Sequence, residues 1–180
     1  MEKPALIIGI DYTNEYCQVC YYNFRHERPE SVMTGAAMMR YVIPAVICRG
    51  DEKQPWLIGE EAILYSEREG SLLAGDLLKR MLVNDSCEME GKEYTYEQLM
   101  AVFLGKLIEL VQIHSGLMSI ENVTVNLREV DLEIKSAMER VFRIMKIDVS
   151  RTRLIVCAES FAYYVLNEKP ELWGDGALLF

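Results

Sequence analysis

The sequence predicts a mixed α/β fold that opens with an antiparallel hairpin and continues with strands separated by helices. Two apolar runs, residues 5–11 and 16–24, are joined by a short polar turn, and the first drives into a single carboxylate at Asp11. Further on, two segments carry apolar residues at helical spacing and alternate with strand-like runs. At 180 residues, with 51% hydrophobic and 26% charged content, the chain suits one globular domain, or two small lobes sharing a sheet.

Strands are expected at residues 5–11, 16–24, 41–48, 122–126, 153–157 and 177–180, each a short run rich in apolar, β-branched or aromatic residues. The turn at Thr13 and Asn14 is short enough for a hairpin, so the early strands pair antiparallel; helices separate the later ones, which pair parallel or mixed. Residues 60–66 and 76–82 read as helical, with Gly70 and Gly75 breaking the pattern between them, and residues 60–92 as a whole read as an inserted subdomain. Thr95 with Gln98 three positions on forms a capping box. Leu99, Phe103, Leu107, Leu110 and Val111 then line one helical face, and Gly116 supplies the stop. Asp131 caps the next helix, whose Ile134, Met138, Val141, Phe142 and Met145 face inward while Glu133, Lys135, Glu139, Arg140 and Arg143 stay in water. The methionines, including Met38 and Met39, read as adaptable core filler.

Charge narrows the function classes. The 19 basic and 28 acidic residues leave a net charge of -9, which repels nucleic-acid backbones and anionic membranes. No signal peptide or uncharged spanning segment is apparent, so a soluble, cytoplasmic protein is expected. Five cysteines fit a reducing compartment. Cys17 and Cys20 lie three apart in a strand-like run, which sends their sulfurs to opposite faces and makes them buried thiols rather than metal ligands. His26 and His114 are distant in sequence and have no cysteine nearby, which disfavours zinc.

An ordered series of short segments carries a resemblance. Gly9-Ile10-Asp11, Ile43-Pro44-Ala45-Val46-Ile47, Gly59-Glu60-Glu61-Ala62, the run from Asp76 through Lys79-Arg80-Met81-Leu82, Val123-Thr124-Val125, Ile147-Asp148 and Glu159-Ser160-Phe161-Ala162 follow one another at family spacing. In that order they resemble the start of the ATPase domain of the seventy-kilodalton heat-shock chaperones, within the actin and sugar-kinase superfamily. The resemblance spans nearly the whole chain and about the first half of such a domain. It implies a ribonuclease H-like, actin-like ATPase lobe whose partner is the remainder of its own ATPase domain.

It also implies ATP and Mg²⁺ as cofactors. Asp11, Thr13 and Asn14 occupy the phosphate turn, and Asp11 would hold waters of a hydrated magnesium ion, which uses few carboxylates. Lys79 would stabilise charge on the terminal phosphate, and Glu159 would orient a metal-bound water or the nucleophile. Each has a plainer role: a turn-starting Asp, a solvated helix Lys, and a Glu favoured by a helix N-terminus. The opening hairpin and the late strand would lie side by side and bring the three charged groups around one cavity. Where the chaperones have Gly-Thr-Thr this chain has Thr13-Asn14-Glu15, and a carboxylate there opposes a polyphosphate. Their second phosphate motif would begin near Leu178 to Phe180, so the chain reads as a fragment that cannot hydrolyse ATP alone. Two other classes stay open: a non-catalytic protein-interaction module on an actin-like fold, and a metal-dependent ribonuclease H-like hydrolase using Asp11 and Glu159 as metal carboxylates.

Overall fold

A computed structural model describes residues 5–34 and 41–168. Met38, Met39 and the expected strand at 177–180 lie outside the described residues. The architecture is mixed α/β, built on a mixed sheet with flanking helices.

The hairpin forms as the sequence predicts. β1 (Leu6–Tyr12) pairs antiparallel with β2 (Tyr16–Asn23), placing Asp11 opposite Gln18 and Tyr12 opposite Cys17. β3 (Arg28–Ser31) continues the meander on β2, and the two-residue β4 (Ile43–Pro44) pairs with the start of β2. On its other edge β1 pairs parallel with β10 (Ile120–Leu127), and β10 pairs parallel with β11 (Thr152–Val156). The strand order is therefore β11-β10-β1-β2-β3, and β10 lies between the opening hairpin and β11. The expectation that hairpin and late strand are neighbours is corrected by this order.

Alternation decides which face is buried. Leu6, Ile8, Ile10 and Tyr12 of β1 are buried, as are Val123, Val125 and Leu127 of β10, while Asp11 and Asn126 leave from the opposite face. The buried face is covered by α3 (Tyr96–Ser115) and α4 (Leu132–Ile144), which pack on one another. The capping box of α3 is formed: the Gln98 amide donates to Thr95 Oγ1 at 3.3 Å, and the Thr95 amide to Gln98 Oε1 at 3.1 Å. Gly116 ends α3 at φ 71° in the left-handed region, its amide bonded to the Gln112 carbonyl. The Asp131 carboxylate accepts from the Ile134 amide at 2.7 Å and caps α4. Beyond the expected α3 face, Met100, Leu104 and Ile108 are also buried, because sheet, α2 and α4 approach this helix from several sides.

The expected strand at 41–48 is two strands in two sheets. Pro44 has no amide to donate, and the Ala45 amide turns to the Glu15 carbonyl, so pairing with β2 stops at once. β5 (Ile47–Arg49) then joins a second sheet of order β6-β5-β7 with β6 (Trp56–Ile58) and β7 (Leu73–Ala74). α1 (Gly59–Glu69) packs on that sheet and ends at Gly70 with φ 70°. The second sheet thus begins upstream of residue 60. α2 (Leu77–Leu82) and the hairpin of β8 (Ser86–Met89) with β9 (Lys92–Thr95) lead into α3. After β11, α5 (Cys157–Glu168) packs against β10 and β11.

Candidate functional site

The C-terminal ends of β1 and β10 carry a polar pair, Asp11 and Asn126. In an open sheet with parallel strands, this end is where ligands gather. Asp11 and Asn126 are register partners on adjacent parallel strands, so their side chains leave the same face. Asn126 Nδ2 donates to Asp11 Oδ1 at 2.9 Å. A carboxylate can only accept here, which fixes the amide: nitrogen toward Asp11, oxygen away from it. That oxygen, Asn126 Oδ1, is buried without a hydrogen-bond partner, and so is Asn14 Oδ1 in the adjoining turn. On the same face Gly9 allows β1 and β2 to close, since a Cβ there would stand 3.0 Å from Cys20 Sγ. Burial pushes the Cys17 thiol up to about 12 and raises that of Cys20, with the Asp11 charge adding to both. Both thiols are free and on opposite faces, as the strand spacing requires.

The turn that follows is closed on itself. The Thr13 amide and hydroxyl both donate to the Tyr16 carbonyl, at 2.8 and 2.7 Å, and the Tyr16 amide donates back to Thr13 Oγ1 at 2.9 Å. Thr13 therefore serves the turn. The amides of Asn14 and Glu15 make no hydrogen bond within it, which leaves the tip as its source of donors. Asp11, as one exposed carboxylate held by the Asn126 amide, fits a hydrated magnesium ion. A phosphate has only the tip amides, in place of a glycine-lined cradle.

Lys79 and Glu159 are placed differently from each other. The Tyr12 ring is buried against Phe103 with centroids 6.2 Å apart, and its hydroxyl points toward the Leu78 amide without a hydrogen bond of ordinary geometry. Burial raises this phenol well above its usual range, and the nearby Asp76 carboxylate adds to the effect. Tyr12 thus packs in one core with Leu77 and Leu78 at the start of α2, where Lys79 is exposed. Its neighbour Arg80 is engaged elsewhere, with Asp85 at 3.2 Å and over the Tyr96 ring. Glu159, in the first turn of α5, is bound by Arg153, which also donates to the Tyr163 hydroxyl at 3.1 Å. Ile155 of β11, rather than an acid, faces Asn126 in register.

One cavity of about 450 Å³ is lined by Trp56, Leu57, Gly59, Leu64, Lys106 and Ile113 among others, and a second of about 400 Å³ by Leu82, Asn84, Glu133 and Arg140 among others; neither is lined by Asp11, Lys79 or Glu159. Among the described residues, no group of three His, Cys, Asp or Glu side chains is placed to hold a metal. Likewise, no described helix is long and apolar enough to cross a membrane.

Sequence reasoning missed Asn126, Tyr12 and Arg153. Asn126 had a usable signal, because it ends an apolar strand run with a polar side chain just as Asp11 does. Arg153 had none, because its partner Glu159 is set by how α5 folds back on β11.

Comparison with known proteins gives a family and no activity. No curated protein matches the chain. Residues 28–180 match a model described as the C-terminal part of a family of unknown function, DUF5716. The match begins at the first residue of β3, so Asp11 and the opening hairpin precede it. With most of its length covered, the chain belongs to the DUF5716 C-terminal family.

Proposed function

We propose that this chain is the first lobe of an actin-like nucleotide-binding domain, of the type found in seventy-kilodalton heat-shock chaperones. In this reading it holds magnesium-nucleotide together with the remainder of its own domain, and does not hydrolyse ATP alone. The observation that carries it is the position of Asp11. The carboxylate stands at the C-terminal end of the first strand of a β11-β10-β1-β2-β3 sheet, antiparallel across β1, β2 and β3 and parallel across β1, β10 and β11. A ribonuclease H-like lobe needs this antiparallel meander with parallel strands added on one side by helical crossovers, here α3 and α4. When bound, magnesium screens the phosphates and orients water. Asp11 would anchor that hydrated ion, the Asn14 and Glu15 amides would meet phosphate oxygens, and Lys79 would supply a positive charge from α2.

Binding of a fluorescent ATP analogue to the full-length protein, followed by anisotropy with magnesium and then with excess chelator, tests this. Binding that needs magnesium and disappears in Asp11→Asn supports the lobe. Absence of binding to the wild type removes it.

A second reading, the protein-interaction module, is favoured by the closed turn and by the Arg153 ion pair on Glu159. Thr13 and Glu159 would then be structural, and Asp11→Asn would leave both fold and partner binding intact. The two-metal hydrolase gains no such support, because Asn126 stands where a second carboxylate would be needed beside Asp11. Free thiols at Cys17, Cys20, Cys48, Cys87 and Cys157 favour a cytoplasmic setting.

A further inference from the structure

We infer that Asn126 is a cation-positioning residue: its Nδ2 holds Asp11 Oδ1 and so leaves Asp11 Oδ2 for a hard cation. The inference rests on the nucleotide-lobe reading for its purpose, but it concerns the ion alone. Three observations lead to it. The parallel register puts both side chains on one face, at neighbouring strands about 4.8 Å apart. The hydrogen bond from Asn126 Nδ2 leaves no choice of amide orientation, because a carboxylate has no proton to give. Asn126 Oδ1 is therefore buried with an unmet lone pair, and Asn14 Oδ1 beside the same strand end is in the same state. Buried oxygens without a donor are rare unless water or an ion meets them.

One exposed carboxylate held in place by a neighbouring amide suits a hydrated Mg²⁺ or Mn²⁺, because such ions keep most of their waters and take few protein charges. A carboxylate at position 126 would instead give a two-acid site. Asn126 thereby sets both the orientation of Asp11 and the charge of the site. Outer partners that orient a ligand typically change metal affinity by about tenfold when removed.

The test uses Mn²⁺ alone, without nucleotide, added to the isotope-labelled full chain while amide signals are followed for paramagnetic broadening. Broadening is expected first at residues 11, 14 and 126, reversed by excess Mg²⁺ and lost in Asp11→Asn. Asn126→Ala should weaken Mn²⁺ binding about tenfold. Asn126→Asp should tighten it by about tenfold or more, since affinity follows ligand charge. Without metal, two facing carboxylates should lower the melting temperature of Asn126→Asp, and Mn²⁺ should restore it. Broadening confined to other surfaces, unchanged affinity in Asn126→Ala, or no gain in Asn126→Asp would each overturn the assignment. If Mn²⁺ broadens these residues while ATP fails to bind, the nucleotide reading falls and this one stands. If ATP binds and Mn²⁺ ignores Asn126, the reverse holds.

Discussion

Glu30 is a carboxylate whose surroundings strongly lower its pKa. It accepts from His26 at 2.6 Å, Asn23 at 2.9 Å and Tyr21 at 2.8 Å, and these hydrogen bonds, that from His26 foremost, push its pKa down to about 2. A carboxyl depressed in the folded state contributes stability above its unfolded value, near 4.5, and loses it as pH falls toward about 2. Carbon-detected titration of Glu30 should therefore show a midpoint well below that of an ordinary glutamate, moving upward in Tyr21→Phe and Asn23→Ala. An ordinary midpoint in the wild type would show that the cluster does not form. Asp11 was legible in the sequence because it ends an uninterrupted apolar run. Asn126 ends a strand run in the same way, but its contact with Asp11, spanning 115 residues, was not legible because it depends on strand register. The Arg153 claim on Glu159 was hidden for the same reason, and so was the way Thr13 spends its hydroxyl on its own turn.

Helices announced themselves through their caps. Thr95 and Asp131 each bind an orphan amide three residues on, and Gly116 takes the left-handed position that ends α3. Thr95→Ala should cost about 1 kcal/mol in chemical denaturation, because it leaves the Gln98 amide unmet, while Thr95→Asp should retain most of the stability. Equal stability of Thr95→Ala and wild type would mean that the box contributes nothing. Strands were most legible where burial imposes alternation. β1, β2 and β10 show it, whereas β3 (Arg28–Ser31) and β9 (Lys92–Thr95) are mostly exposed and carry charges that read as turn or loop. The break between β4 and β5 turns on Pro44 and on the Glu15 carbonyl that captures Ala45, a contact between segments thirty residues apart.

Across the whole molecule, one core joins the main sheet to α2, α3 and α4 and extends beneath the second sheet through Ala45, Ile47 and Ala74. Phe103 and Phe142 are among its largest fully buried side chains. Phe103→Ala should destabilise the fold by about 3–5 kcal/mol, because a ring-sized cavity opens against Tyr12. Its effect should reach the site as well, since Tyr12, at the end of β1, shares its core with Leu77 and Leu78 of α2. Phe142→Ala should cost a comparable amount and leave the amide signals of residues 11–14 in place. Matching disturbance of those signals by both variants would contradict a specific Tyr12 link.

Calorimetric titration of the full-length protein with ATP, with and without magnesium and in wild type and Asp11→Asn, tests the nucleotide-lobe assignment most directly. A lobe anchored at Asp11 gives saturable heat that requires magnesium and vanishes in the variant. No magnesium-dependent heat in the wild type, or equal heat in Asp11→Asn, would contradict it.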